Sequence, residues 1–405
     1  MVHNGNWHNQ NLTLSIKPNC ITISLQSTRM NEVYSFDLSG RLWTCMRGDR
    51  SYRRGLNGKI VAKWITSSGE RERKWLSTAE EHDLLKSSRQ FCLNLIHAVT
   101  NQELNFTPAL TANELGYLKV TVLFDQSDYQ KDVEWFNNIY KPVGILPPDQ
   151  YMAVVLQAAE GCSFNTCTFC DFYRSTRFHI KTLDEFNTHL NQVKDYLGAG
   201  LSLRRTIFLG DANALVVPMP RLLPMLNTVH QVFDVESLGG IYAFLDGFSG
   251  DKKTTSDYHQ LSKLGLKRIY LGVESGNNDL LRYLKKPGNS QDAVQAVQSM
   301  KEAGVAVGII ILLGAGGKKF AQAHIDDTID ILNKMQLDAD DIIYFSELVE
   351  NAGLSYTSTA FKDELAPLTS DERVKQGERI EAALTFSETG GTPHISRYDI
   401  REFVY

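Results

Sequence analysis

Several things this chain has little of narrow what it can be. Six cysteines in 405 residues are too few for a disulfide framework. No apolar run approaches the ~18 residues of a membrane-spanning helix. The first residues, Met1 to Trp7, lack the basic and apolar regions of a secretion signal. Positive charge is not in excess: 42 Lys and Arg against 47 Asp and Glu give a net charge of −5, so general electrostatics offers a nucleic-acid role no support. No Gly-x-x-x-x-Gly-Lys-Ser/Thr loop is present, so ATP hydrolysis has no support either. The expectation is a cytoplasmic protein in a reducing compartment, with no membrane and no nucleic-acid partner.

What is present is concentrated. Cys162, Cys167 and Cys170 fall within Gly-Cys-Ser-Phe-Asn-Thr-Cys-Thr-Phe-Cys-Asp-Phe-Tyr173, directly after the apolar run Met152–Leu156. The spacing is C-x4-C-x2-C. One loop of this length can wrap three thiolates around one soft metal centre, leaving a further position for something other than protein. An open site of that kind is a catalytic arrangement, whereas four ligands more often close a structural one.

The rest of the chain has two rhythms. Residues 1–145 read as an α+β N-terminal region. Ile21–Leu25 and Val33–Phe36 alternate like strands, Asp37-Leu-Ser-Gly40 is a turn, and Arg41–Cys45 completes a hairpin. Lys59–Ile65 is another strand, and Ser77 starts a helix that runs to about His97. Pro147-Pro148 marks a boundary. Over 146–365, short apolar runs alternate with helical patterns. The strand candidates are Met152–Gln157, Thr206–Leu209, Ile241–Leu245, Arg268–Val273, Val305–Leu313 and Asp341–Phe345. Alternating β and α with strands apolar on both faces implies a parallel sheet. Six such units predict an α/β fold, a partial (β/α)6 barrel of TIM type, with chemistry at the C-terminal ends of the strands. Residues 366–405 read as a C-terminal helical extension and tail.

Four segments at strand ends carry a resemblance: the cysteine loop, Phe208-Leu-Gly-Asp211, Tyr270-Leu-Gly-Val-Glu-Ser-Gly276, and Ile310-Ile-Leu-Leu-Gly-Ala-Gly-Gly317. In this order the chain resembles the radical S-adenosylmethionine (SAM) superfamily over about residues 150 to 350. The branch it is similar to is that of oxygen-independent coproporphyrinogen III oxidase and the elongator-type proteins. The resemblance implies a 4Fe–4S cluster on Cys162, Cys167 and Cys170, with Phe169 beside it. It implies SAM contacts from Gly210 and Asp211 to the methionine amine, from Glu274 and Ser275 to the ribose, and from Gly314 and Gly316 near the adenine. It also implies reductive cleavage of SAM to a 5′-deoxyadenosyl radical that abstracts hydrogen from an unidentified substrate. The electrons would come from a flavodoxin- or ferredoxin-type donor. The residue that steers the substrate radical is not identified. One departure stands out: the superfamily's usual spacing is C-x3-C-x2-C. No cysteine follows Cys170, so an auxiliary C-terminal cluster is not expected, and the N-terminal region lacks the Asp-x-His-x-x-Gly signature of cobalamin-binding domains.

Each motif also has a plainer reading. The cysteines with His179 would make a zinc site, and the chain a non-catalytic scaffold or sensor; zinc motifs usually pair cysteines over longer spacings. Cys167 and Cys170 alone would be a redox dithiol. Glu274 and Ser275 alone would cap a helix beginning near Asn277, Asp211 would be a turn residue, and the glycines at 314–317 just a turn. His324, Asp326 and Asp327 fit a solvated, acid-rich helix N-terminus better than an active site. Arg47, Arg50, Arg53 and Arg54 fit a solvated surface better than an anion site.

Overall fold

The computed structural model describes residues 1–26, 31–245, 253–350, 353–386 and 390–405. The chain divides into two compact units. One comprises Met1–Tyr140 with Asn191–Arg205 and Glu402–Tyr405; the other comprises Lys141–Leu190 with Thr206–Arg401.

The first unit holds an eight-stranded antiparallel sheet whose strands pair in chain order, from Val2–Trp7 to Arg71–Trp75. Alternation makes the sheet two-faced. Leu12, Leu14, Ile21, Ile23, Tyr34 and Phe36 point to one face and are buried with Leu84, Cys92 and Leu95 of the helix Thr78–Thr100. Burying each large apolar side chain contributes roughly 1.5–3 kcal/mol. Ser77 caps that helix in a reciprocal capping box with Glu80. Two helices absent from the sequence reading, Ala112–Val120 and Gln126–Ile139, carry the same signature in Thr111/Glu114 and Asp125/Asp128. The first hairpin was also missed; His8 and Asn9 form its turn with φ of 51° and 59°, the left-handed geometry of a tight two-residue loop.

The arginine cluster is not uniformly solvated. Arg54 is buried and pairs with Asp132 at 3.3 Å, while Arg41 donates to the same carboxylate at 2.7 Å. Arg47 donates to the Tyr34 hydroxyl, and Arg50 lies exposed over the Trp64 ring. Arg50 and Arg54 share a face of the strand Arg50–Arg54, so spacing along the strand cannot distinguish their fates.

The second unit holds a parallel sheet. Its strands are Ala153–Gln157, Thr206–Gly210, Ile241–Phe244, Leu266–Glu274, Ala306–Leu313, Ile342–Glu347 and His394–Tyr398, adjacent in chain order. The first six occupy the runs expected, and the fold is an α/β partial barrel. The seventh corrects the sequence reading, which made the C-terminal segment a helical extension and tail. A helix is present, Ser370–Ala382, but His394–Tyr398 then pairs in parallel with the sixth strand. Its sequence, His-Ile-Ser-Arg-Tyr, is half-exposed and has no apolar run, so an edge position hides the strand signal. At the start of this unit, Asp149 accepts hydrogen bonds from Tyr344 (2.8 Å), Arg268 (3.1 Å) and Tyr270, tying the segment after Pro147-Pro148 to three of the strands' side chains. No helix among the described residues is long and apolar enough to cross a membrane.

Candidate active site

The cysteine loop leaves the end of the first parallel strand. Its base is closed by the antiparallel pairing of Ala159–Glu160 with His179–Ile180. Asn165 takes up the residue by which the spacing exceeds C-x3-C: its φ is 51°, its amide N–H donates to Cys162 Sγ at 3.4 Å, and its side-chain amide donates to the Tyr173 carbonyl at 3.1 Å. Asn tolerates this left-handed conformation better than most residues. Arg174 fixes the other half of the loop, donating to the carbonyls of Cys167 (2.8 Å) and Cys170 (3.2 Å). Thr168 is buried and ties the loop to the Leu284 carbonyl at 2.9 Å.

All three cysteines line one cavity of about 180 Å³. Phe169 and Glu274 border it too, as do Gly272 and Lys286. Burial pushes the Cys170 thiol up to about 12, partly offset by the Phe172 N–H, and the neighbouring charges of Cys167, Cys162 and Glu274 add to it. A thiol pushed up in this way stays protonated until a cationic centre binds beside it.

Glu274 reaches the cavity through a distortion of the fourth strand. The pairing slips between Gly272 and Glu274, so Val273 is an extra residue in a bulge, and Glu274 has φ of 63°. A bulge re-aims side chains, and such features recur beside active sites. Gly272 makes the room: a Cβ there would lie 2.4 Å from Glu274 Oε1 and 3.3 Å from Lys286 Nζ. Lys286 Nζ stands 3.8 Å from Glu274 Oε1. Glu274 is not a helix cap; Asn277 performs that task, accepting from the Leu280 N–H at 2.8 Å.

The other expected contacts do not line this cavity. Ser275 is fully buried and joined to His324. Asp211 accepts from Gln157 Nε2 (2.7 Å) and from the Gly161 N–H (3.0 Å), so it anchors the entrance of the cysteine loop. Burial raises its carboxyl to about 7, against those two hydrogen bonds. Gly210 packs on Val155, where a Cβ would meet Cγ1 at 3.2 Å. Gly314 donates to Gln376 Oε1 (2.8 Å) and Gly316 to the Tyr356 hydroxyl (2.9 Å), both at positive φ, forming the tight entry to the helix Gly317–Lys334.

Sequence reasoning missed Lys286, Glu347 and Tyr398, which also border the cavity. Lys286 carried a weak signal, a lysine pair against a proline just after a short helix. Tyr398 lies on the unrecognised seventh strand.

His179 is exposed and pairs with Glu185 at 3.2 Å, away from the cysteines' cavity. Among the described residues no three His, Cys, Asp or Glu side chains form a group that could hold a metal ion. A single tetrahedral zinc needs its thiolates within about 4 Å of one another; a multi-iron cluster holds them farther apart, on separate irons.

Residues 156–331 match the model of the radical SAM superfamily, and the chain carries a radical SAM domain there. The heme chaperone HemW of Buchnera aphidicola (subsp. Schizaphis graminum) is 23% identical over 165 residues, 40% of this chain and 42% of that protein. The chain thus spans less than half the length of this curated relative. Among solved structures, the coproporphyrinogen III oxidase HemN of Escherichia coli aligns with a TM-score of 0.45 at 12% identity, over 64% of this chain and 55% of that one. Streptococcus suis SuiB bound to SAM aligns with a TM-score of 0.40 at 14% identity, over 86% and 72%. The cofactors of the superfamily are a 4Fe–4S cluster and SAM. The residues present fit them: three thiols on one cavity, a carboxylate and an ammonium beside them, and a glycine where a side chain would obstruct.

Proposed function

We propose, with the radical SAM domain as premise, that the chain is a radical SAM enzyme in which Cys162, Cys167 and Cys170 hold the cluster. The observation that carries this reading is one cavity bordered by all three thiols, Glu274 and Lys286. When bound, the cluster and SAM supply a 5′-deoxyadenosyl radical that takes hydrogen from a substrate. The chain's own residues bind and orient. Glu274, a carboxylate at a strand end, accepts the hydrogen bonds of two ribose hydroxyls. Lys286 is the lysine or arginine on the described lining and suits a carboxylate of the methionine moiety. Phe169 and the apolar side chains Phe244, Ile310 and Leu312 keep water out. Asp211 and Arg174 hold the loop, and the glycines at 314 and 316 shape the turn beyond the fifth strand. A flavodoxin- or ferredoxin-type protein supplies the electrons, in keeping with a cytoplasmic setting.

Anaerobically reconstituted protein should bind about four irons per chain and, once reduced, release 5′-deoxyadenosine and methionine from SAM. Stoichiometric zinc without iron would overturn the proposal in favour of a scaffold or sensor. That alternative is not favoured by the exposed His179 and its separate partner.

A further inference from the structure

His324 and Ser275 form a buried pair that the proposed chemistry does not use. The imidazole Nδ1 lies 2.6 Å from Ser275 Oγ, and both residues are fully buried. Ser275 Oγ also accepts the Asn277 N–H at 3.0 Å, and Thr328 Oγ1 approaches the same imidazole nitrogen at 3.4 Å. The other ring nitrogen, Nε2, has no partner among the described atoms, so the imidazole is held through Nδ1. One helical turn on, Thr328 Oγ1 accepts the Gly276 N–H at 2.9 Å, and Asp327 accepts from Asn277 Nδ2 at 2.7 Å. Residues 324, 327 and 328 share one helix face. Gly276 lies so close to it that a Cβ would meet the Asp327 carbonyl oxygen at 2.1 Å. Three consecutive residues, Ser275 to Asn277, are thus gripped by one face of the helix Gly317–Lys334.

The residue immediately before this grip is Glu274, at φ of 63°. A non-glycine residue keeps such a conformation only where its surroundings enforce it. Ser275 is not free to reach a ligand, because its hydroxyl is spent on His324 and Asn277.

We propose that His324 is a positioning residue: through Ser275 it locks the turn that holds Glu274 in its left-handed conformation, with the carboxylate in the cysteine-lined cavity where it meets the ribose hydroxyls of SAM. This rests on the reading of Glu274 given above. Freed of the lock, Glu274 relaxes toward extended backbone and its carboxylate leaves the cavity.

The test compares SAM binding by anaerobically reconstituted wild type, His324→Ala, His324→Asn, Ser275→Ala, the Ser275→Ala/His324→Ala double variant and Glu274→Gln. It adds hydrogen exchange at the Gly276 and Asn277 amides. We expect His324→Ala to keep its iron and weaken SAM binding by roughly tenfold, with faster exchange at both amides. Asn, whose side-chain amide can either accept from or donate to the serine hydroxyl, should restore binding to within about threefold. The double variant should be no worse than the worse single one, since both act through one contact. If His324→Ala does not fold, Ser275→Ala, which removes a single hydroxyl, carries the same expectations. Undiminished SAM binding by these variants, beside a tenfold loss in Glu274→Gln, overturns the inference and leaves the ribose reading standing. Undiminished binding by Glu274→Gln overturns the ribose reading itself; the amide exchange then decides the lock, and unchanged exchange in His324→Ala sinks it.

Discussion

Lys286 Nζ lies 3.8 Å from Glu274 Oε1, each side chain being 10% exposed, and the pair borders the same cavity as the three cysteines. Removing one partner of a buried pair leaves the other charge uncompensated. Glu274→Gln should keep the iron and lose tenfold or more in SAM affinity, at ~1.5–3 kcal/mol per hydrogen bond to a charged acceptor. Lys286→Met should weaken SAM binding as well, and also lower the melting temperature of protein without SAM. Titrating SAM into the reconstituted proteins beside thermal melts separates these effects.

Cluster loading should depend on the loop cysteines alone. Alanine at Cys162, Cys167 or Cys170 should abolish the brown cluster and SAM cleavage. Cys45 and Cys92 are core thiols whose burial pushes them up to about 12, and Cys20 is buried too, so their serine variants should load iron fully. Iron counts on the six variants check this; loss of the cluster from a core variant would refute the ligand assignment.

Asn165 tests how the longer loop is accommodated. Asn165→Gly keeps the left-handed backbone and the N–H to Cys162, so it should hold iron nearly as well as wild type. Asn165→Val meets the full steric penalty, ~1–3 kcal/mol, and should release iron to a chelator several-fold faster. Equal release rates for Gly and Val would remove the backbone argument.

Stability should respond to pH through two opposed groups. Burial pushes His324 down to about 4 from 6.5, so between those values the folded chain binds fewer protons than the unfolded one and stability rises with pH. Burial pushes Asp211 up to about 7 from 3.8, so in its window the folded chain holds the extra proton and stability falls as pH rises. His324→Asn should therefore expose the falling slope, and Asp211→Asn the rising one. Melting temperatures of reconstituted protein between pH 5 and 8 read both signs; identical slopes in the two variants would contradict the assignment.

In the first unit, Asp132 is the shared acceptor of Arg41 and Arg54, both buried. Asp132→Ala removes that carboxylate from Arg54 and leaves Arg41 with Asp37 at 3.6 Å, and should cost about 3–5 kcal/mol, seen as an early loss of sheet signal on denaturant unfolding. A change below 1 kcal/mol would mean that water reaches the pair.

The sequence alone determined what depends on neighbours along the chain. Period and composition placed six parallel strands, because strands buried on both faces must be continuously apolar. C-x4-C-x2-C named three thiols that one loop can bring together, and Ser77 with Glu80 marked a helix start from local hydrogen bonding. Tertiary structure decided what depends on groups far apart. The seventh strand exists because an edge is available to pair with, not because His-Ile-Ser-Arg-Tyr is apolar. Glu274 and Ser275 are adjacent in sequence, yet a bulge and a left-handed φ send one to the cavity and the other to His324, 49 positions away. No local pattern encodes that divergence. It arises where a strand end, a turn and the face of a later helix compete for the same few hydrogen bonds.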